Sequence, residues 1–355
     1  MRPHSLDTRR RFLRAIALAV FVVAFVPPTG AGQGAVPADL SDREYWALIE
    51  QLSEPEGSFV SNSGSPDNLL SNESTVSVMA AAAAERVKPG GVYLGVGPEQ
   101  NFTYIAAMRP RMAFVTDIRR GNLHLHLLYK ALFEMSPDRQ NFVSRLFSRT
   151  RPDGLSGSLT ASRLLNAYLA ATPVTETVFH SNLAAVTDHL TKTRRLPLAA
   201  ADRSGIEYVY RQFYRFGPAI DYVSSTRGTS GSAGSYARIQ STVDARGVER
   251  TYLAGDEAFE YVKSLQHRNL IIPVVGDFAG PKALRAIGGY VRSRGATIGA
   301  FYVSNVEGYL KRNDVWTSFC ANVASMPIDA ESVFIRPTGR AGTLDPMVAE
   351  TSGCK

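Results

Sequence analysis

The sequence has 355 residues, of which 45% are hydrophobic and 20% charged, as in an ordinary globular protein and unlike a disordered chain. Its 29 glycines and 19 prolines are too few for a collagen-like or low-complexity chain. The two cysteines exclude a cysteine-rich zinc module and a multi-disulfide scaffold. This length predicts one large domain or two.

Residues 1–31 have the pattern of a secretory signal peptide. A basic segment, Arg9–Arg14, precedes an uncharged run, Ala15–Val26, that is shorter than the roughly 20 residues of a membrane span. The stretch around Arg9 and Arg10 resembles the twin-arginine signal, and small residues predict cleavage after Ala31. We therefore expect an exported, periplasmic protein. The alternative is an uncleaved leader that anchors the chain in the inner membrane, which would be its one membrane contact.

The leader also accounts for much of the positive charge. The whole chain has a formal charge of +7, but residues 1–31 hold five arginines and one aspartate, so removing them leaves +3. The other basic residues are scattered, whereas a duplex-binding protein usually shows a concentrated basic face. We expect no nucleic-acid partner and predict a small-molecule ligand instead.

Two states are open for Cys320 and Cys354. In an oxidising compartment they could pair and close a loop of about 34 residues. The alternative is a buried free thiol at Cys320 and a free thiol in the tail at Cys354.

The first predicted elements are helical. Residues 32–73 hold a linker and an N-terminal helix that begins at Ser41, with Glu44 in the capping-box position. An alanine-rich helix follows over Ser74–Val87. Just before it, Asn72 and Glu73 are either N-capping residues or part of a pocket wall.

The next sixty or so residues predict a βαβ unit with parallel strands. The strand Val92–Gly97 ends in glycines, the helix Glu99–Met108 follows, and a second strand, Met112–Thr116, ends at Asp117. Because ligands bind beyond the carboxyl ends of parallel strands, the glycine turn and Asp117 are candidate site residues.

A helical insertion is predicted at about 136–250, after which strand–helix alternation resumes. The predicted elements outside the βαβ unit are helices at Asn122–Glu134, Arg139–Phe147, Ala161–Ala171, Val174–Thr191, Glu257–Leu265 and Pro281–Arg292, and strands at Leu270–Val275, Thr297–Ser304 and Val333–Arg336, the last as an edge strand. The aromatic side chains of the stretch Tyr208–Tyr222 are expected to lie in the core or in the wall of a pocket. We expect residues 74–355 to form an α/β, Rossmann-like domain with a mostly parallel sheet.

Four residues carry the predicted site. Gly95 and Gly97 would let the backbone approach a ligand at a positive helix N-terminus. Asp117 lies 20 residues after Gly97, where an acid accepts hydrogen bonds from ribose hydroxyls. Asp277 follows the strand Leu270–Val275 and would lie across the pocket.

These residues resemble the cofactor-binding half of class I S-adenosylmethionine-dependent methyltransferases, over residues 88–135 and more weakly over 268–305. The resemblance implies that S-adenosylmethionine is the cofactor, that Gly95 and Gly97 form the glycine loop, that Asp117 binds ribose, and that Asp277 lies on the adenine or substrate side. The stretch Val87–Phe102 also resembles a family of uncharacterised bacterial proteins with a predicted methyltransferase-like fold.

The pattern departs from the methyltransferases at two positions. Tyr93 replaces the usual acid before the loop, and Glu99 replaces the third glycine, which predicts a negative charge close to the cofactor. Gln100 replaces the third glycine of the dinucleotide-binding pattern, which disfavours a nicotinamide oxidoreductase.

Structural roles are the alternative for each candidate. The glycines could form a tight turn without a ligand, Asp117 could pair with Arg119 or Arg120, and Asp277 could be a turn residue. His124 and His126 are two residues apart on a helix, so they face different directions and predict no metal site.

The sequence thus predicts an exported methyltransferase-like protein that binds S-adenosylmethionine and acts on a small molecule or an envelope component. Asp277 and Glu307 are the general-base candidates. The alternative is a non-catalytic ligand- or protein-binding module of the cell envelope that keeps a Rossmann-like fold.

Overall fold

Six strands form one mostly parallel sheet in this α/β protein. The computed structural model describes residues 35–59, 67–155, 157, 159–228, 234–337 and 342–354. The strands are β1 (Val92–Val96), β2 (Met112–Asp117), β3 (Ile271–Val275), β4 (Ile298–Tyr302), β5 (Val333–Arg336) and β6 (Thr343–Pro346). Their order is β3-β2-β1-β4-β5-β6, and all neighbours are parallel except β5 and β6. This order is compatible with a Rossmann-like fold, with the switch point between β1 and β4.

Helices connect and cover the strands. They are α1 (Asp42–Leu52), α2 (Val76–Arg86), α3 (Gln100–Met108), α4 (Arg120–Met135), α5 (Arg139–Phe147), α6 (Ala161–Leu169), α7 (Glu176–Asp188), α8 (Ala200–Phe216), α9 (Ser224–Arg227), α10 (Tyr236–Gln240), α11 (Asp256–His267), α12 (Ala283–Ser293), α13 (Val306–Arg312), α14 (Trp316–Ala324) and α15 (Met347–Thr351). Helices α3 and α4 both pack on α11, whereas α12 packs on α1 and α14.

The predicted βαβ unit is confirmed. Strands β1 and β2 pair in parallel, with Val92 opposite Met112 and Val96 opposite Thr116. Every residue of both strands is buried, as expected for the centre of a parallel sheet that is covered on both faces. The apolar runs therefore determine these strands without the alternation of a half-exposed sheet.

The predicted N-terminal helix is also confirmed. Ser41 and Glu44 form the capping box, and Tyr45, Trp46 and Ile49 are buried in a helix that packs on β3. The leader predicted at residues 1–31 lies outside the described residues.

The middle of the chain, between α4 and α11, is helical as predicted. The aromatic-rich stretch belongs mainly to α8, whose Ile206, Val209, Tyr210 and Phe213 are buried at helical spacing against α4 and α5. Helix α7 ends at Asp188, slightly before the predicted end at Thr191, and one π-helical turn, His189–Thr193, continues it.

The predicted position of one strand is wrong. The segment Val333–Arg336 is expected at the sheet edge, but β5 lies between β4 and β6. The antiparallel strand β6 has exposed or half-buried residues and ends in Pro346, so it lacks the apolar pattern by which the other strands are recognised.

Cys320 and Cys354 form a disulfide, which decides between the two states that the sequence left open. It joins α14 to the segment after α15. Among the residues described, no helix combines the length and the apolar composition that a membrane span requires.

Candidate functional site

A cavity of about 520 Å³ lies at the carboxyl ends of β1 to β4, within the size range of small-molecule sites. It is lined by Ser58, Phe59, Asp67, Asn68, Leu70, Ser71, Asn72, Glu73, Val96, Gly97, Pro98, Gln100, Asp117, Ile118, Arg119, Tyr222, Gly276, Asp277, Phe278, Ser304, Asn305, Val306, Tyr309, Leu310, Asn313 and Val315. The structure therefore brings three of the four predicted site residues, Gly97, Asp117 and Asp277, into one wall.

Gly97 needs to be glycine for two reasons. Its φ is +77°, in the left-handed region that favours glycine, and a Cβ atom would lie 2.9 Å from Nδ2 of Asn68. The Gly97 carbonyl accepts a hydrogen bond from Nε2 of His126 at 2.9 Å. Burial lowers the pKa of His126 to about 4, so the ring is neutral and its Nε2–H fixes the turn.

Gly95 lies behind the turn and does not line the cavity. A Cβ atom there would overlap Oδ1 of Asn101 and lie 2.6 Å from the Tyr93 hydroxyl. Asn101 donates to the carbonyls of Val96 and Pro98 at 2.9 and 2.7 Å. The absence of a side chain at Gly95 thus makes room for the amide that holds the glycine turn.

Asp117 lines the cavity, but its carboxylate is already engaged. Oδ1 accepts from the backbone N–H and Nε of Arg119, both at 3.0 Å, and Oδ2 accepts from Nδ2 of Asn68 at 3.1 Å. The alternative expectation of an Asp117–Arg119 pair is therefore confirmed, and Asn68 is a further partner that the sequence did not indicate.

Asp277 combines a turn role with a place in the wall. Its Oδ1 accepts from the backbone N–H of Ala279 at 2.9 Å, as in an Asx turn. Its own N–H donates to Oε1 of Glu54 at 2.7 Å, which ties the end of α1 to the end of β3.

Glu73 is a wall residue that sequence reasoning identified only as an alternative to helix capping. The helix N-cap is Thr75, so Glu73 is free to turn towards β4, where it accepts from the Tyr302 hydroxyl at 2.5 Å and from Ser304. Burial raises the pKa of Glu73 to about 7. A carboxyl group with such a pKa exchanges protons near neutrality.

Glu99 does not place a negative charge beside the cavity, contrary to the sequence-based expectation. Its side chain is fully buried, outside the cavity wall, and accepts from the backbone N–H of Ser71 at 3.3 Å. Burial raises the pKa of Glu99 to about 8, so the group is mostly protonated at neutral pH.

Glu307 is outside the wall as well, so it is not placed to act as a general base in this cavity. Its two carboxylate oxygens accept from Nε and Nη2 of Arg336, both at 2.7 Å. His124 pairs with Asp202 and His189 with Glu134. In the described part of the chain, no group of three or more His, Cys, Asp or Glu residues is arranged to hold a metal ion.

The charge of the described cavity wall is predominantly negative. Four carboxyl groups, those of Asp67, Glu73, Asp117 and Asp277, line it together with a single cationic side chain, Arg119. Aromatic rings also contribute to the wall, from Phe59, Tyr222, Phe278 and Tyr309. Such a wall favours a ligand with a positive charge and a flat, partly apolar group.

Comparison with known families relates the chain to a family model described as a domain of unknown function, DUF7790, which matches residues 69–198 and 224–350. The chain belongs to this family. Glu73, Gly97, Asp117 and Asp277 fall within the matched stretches, whereas the wall residues Asn68 and Tyr222 do not. Among curated proteins, no match to the chain was found.

Proposed function

We propose that the cavity binds S-adenosylmethionine and that the protein is a methyltransferase-like enzyme acting on a small molecule or an envelope component. The observation that carries this proposal is the convergence of Gly97, Asp117 and Asp277 in one cavity at the switch point of the sheet. The resemblance to class I methyltransferases assigns the same three residues to the cofactor.

The charge of the wall supports this choice of ligand. S-adenosylmethionine carries a sulfonium and an ammonium group against one carboxylate, so it is a net cation. The wall offers the carboxyl groups of Asp67, Asp117 and Asp277, which would attract it. A nicotinamide dinucleotide carries an anionic pyrophosphate, which this wall would repel.

Asp117 requires an exchange of partners if it is to bind ribose. A carboxylate accepts about four hydrogen bonds, and Arg119 and Asn68 already supply four. A ribose hydroxyl would therefore replace one of these donors, such as Asn68, whose segment, residues 67–73, borders the cavity.

The same engagement of Asp117 supports a second candidate function. If Asp117 serves solely to hold Arg119 and the turn, the protein is a non-catalytic ligand- or protein-binding module. Export is part of both proposals, and the disulfide between Cys320 and Cys354 supports it, since disulfides persist mainly in oxidising compartments.

Calorimetric titration of the purified protein with S-adenosylmethionine, S-adenosylhomocysteine and NADP tests the first proposal. Asp117→Asn is compared with Asp244→Asn, a matched control. Asp244 is also a buried acid, it accepts from two backbone N–H groups and Arg250, and it lies outside the cavity wall.

We expect S-adenosylmethionine and S-adenosylhomocysteine to bind with micromolar affinity. This binding should be lost in Asp117→Asn and kept in Asp244→Asn. Heat with NADP alone would contradict the charge argument. The absence of heat with all three ligands, from a sample whose circular dichroism shows it to be folded, would overturn the cofactor proposal and favour the non-catalytic module.

A further inference from the structure

One corner of the cavity has more free acceptors than free donors. Glu73, Gln100 and Ser304 line it, and the buried Tyr302 is hydrogen-bonded to two of them. The Tyr302 hydroxyl donates to Oε2 of Glu73 and accepts from Nε2 of Gln100, both at 2.5 Å. Ser304 donates to Oε1 of Glu73. The hydroxyl donors of the corner are thereby used within it, and acceptor positions on Glu73 remain.

Gln100 supplies a second acceptor. Its side chain lines the cavity and is 2% exposed, yet its Oε1 has no hydrogen-bond partner among the described residues. A buried amide oxygen without a donor is unfavourable. The oxygen itself has almost no accessible surface, so a ligand that brings N–H groups would remove this cost once the Gln100 amide shifts towards the cavity.

The backbone of the corner is strained in a way typical of functional sites. Ser304 has a φ of +51°, in the left-handed region that is unfavourable for a residue with a Cβ atom. This conformation accompanies the hydrogen bond by which Ser304 reaches Glu73 from the end of β4. The orientation of Glu73 is thus fixed from β4 by two hydroxyl groups.

We propose that Glu73 and Gln100 form a subsite for the primary ammonium group of a second compound that binds in the cavity. An ammonium group has three N–H donors, enough to satisfy both Glu73 and the unpartnered oxygen of Gln100. Leu70, Val96 and Leu310 also line the cavity and offer an apolar surface to the hydrocarbon part of such a compound. That this compound is the methyl acceptor rests on the proposed function, whereas the ammonium subsite does not.

Binding of an ammonium group to this subsite should depend on pH. Burial raises the pKa of Glu73 to about 7, and the titratable groups that interact with it are Tyr93, Tyr104, Tyr302 and Glu99, all of which are buried. The four groups are neutral at pH 7 or mostly so, because burial raises their pKa values too. The ionised fraction of Glu73, and with it the affinity for an ammonium, should rise about tenfold from pH 6 to pH 8.

Two probes of similar shape and opposite charge test the subsite: phenethylamine and 3-phenylpropionate. Their dissociation constants are measured by ligand-observed NMR at pH 8, without any nucleotide present. Glu73→Gln is compared with Asp67→Asn, which removes a carboxylate from another part of the same wall and keeps an oxygen for the Tyr208 hydroxyl.

We expect phenethylamine to bind the wild-type protein and 3-phenylpropionate to bind far more weakly. Glu73→Gln should weaken the binding of phenethylamine about tenfold or more, since a charge-assisted hydrogen bond is lost. Asp67→Asn should change the dissociation constant by less than about threefold. Gln100→Met, which removes the unpartnered oxygen, should also weaken phenethylamine and serves as the second variant if Glu73→Gln does not fold.

Equal affinity of phenethylamine for the wild type, Glu73→Gln and Gln100→Met would overturn the subsite. An equal loss in Asp67→Asn and Glu73→Gln would also overturn it, because the effect would then come from the general charge of the wall. The titration with S-adenosylmethionine on the same preparations is separate, so a failure of the cofactor proposal is distinguishable from a failure of the ammonium subsite.

Discussion

Gly95 leaves the space that the side-chain amide of Asn101 occupies, because a Cβ atom on Gly95 would overlap Oδ1 of Asn101. This relationship links a strand to the helix that follows it, since Asn101 holds the turn between them through the carbonyls of Val96 and Pro98. Gly95 therefore affects the cavity indirectly, through the shape of the turn that carries Gly97.

Gly95→Ala should destabilise the protein. The added methyl group would displace Asn101 and disturb its hydrogen bonds, which costs about 1–3 kcal/mol in an overpacked interior. Urea unfolding followed by circular dichroism measures the loss. Gly289→Ala is the matched control: it lies on the exposed side of α12 with nothing within 4 Å of its Cβ position, and alanine there should stabilise by up to about 1 kcal/mol. Identical unfolding midpoints for the two variants would contradict the role of Gly95.

Glu99→Gln should flatten the dependence of stability on pH. The folded-state pKa of Glu99 is raised to about 8 from the ordinary 4.5. The stability linked to its protonation is therefore fully present below pH 4.5 and is lost as the pH rises from there through about 8. Each pKa unit corresponds to roughly 1.4 kcal/mol. The glutamine side chain would be neutral throughout and could keep the hydrogen bond from Ser71.

The free energy of unfolding, measured in urea at several pH values from 5 to 9, checks this prediction. Wild type should lose more stability over this range than Glu99→Gln. Glu73 contributes a loss of the same sign to both proteins, but a smaller one, because its pKa is raised only to about 7. Parallel stability curves would show that Glu99 is ionised in the folded protein at neutral pH.

Glu134→Gln should be strongly destabilising. The Glu134 carboxylate accepts a hydrogen bond from Nζ of Lys130 at 2.7 Å, and both side chains are 0% exposed. Its Oε2 atom is also hydrogen-bonded to Nε2 of His189 at 2.6 Å and to Nε of Arg194 at 2.7 Å. Removing one member of a buried ion pair leaves an uncompensated charge and costs about 3–5 kcal/mol.

The control for Glu134 is Asp188→Asn, which breaks the Lys192–Asp188 pair on the surface, where the two side chains are 74% and 54% exposed. Such a pair contributes at most about 1 kcal/mol. A similar small loss in urea unfolding for both variants would mean that the buried cluster around Glu134 contributes little to stability.

Cys354→Ser should lower the stability by about 3–4 kcal/mol, since the disulfide closes a loop with a sequence separation of 34 residues. Thermal unfolding with and without dithiothreitol checks this expectation. The reductant should lower the melting temperature of the wild type towards that of Cys354→Ser and leave the variant unchanged. A wild type that is insensitive to complete reduction, verified by thiol titration, would contradict it.

The sequence predicted the elements whose signals are local. The capping box at Ser41 and the apolar runs of β1, β2 and β3 were recognised because neighbouring residues determine them. Strand β6 was not recognised, because its residues are half-buried or exposed and its pairing with β5 comes from the tertiary structure. Gly97, Asp117 and Asp277 were found because carboxyl ends of parallel strands meet at one edge of the sheet.

By itself, the sequence determined the α/β class, the βαβ unit and the edge of the sheet at which a ligand site would lie. The tertiary structure decided which polar groups meet there and in which protonation state. Glu73 and Tyr302 are 229 positions apart, and Glu99 is mostly neutral because the surrounding core excludes water. Burial and long-range contacts depend on the packing of the whole chain, so no local pattern of residues specifies them.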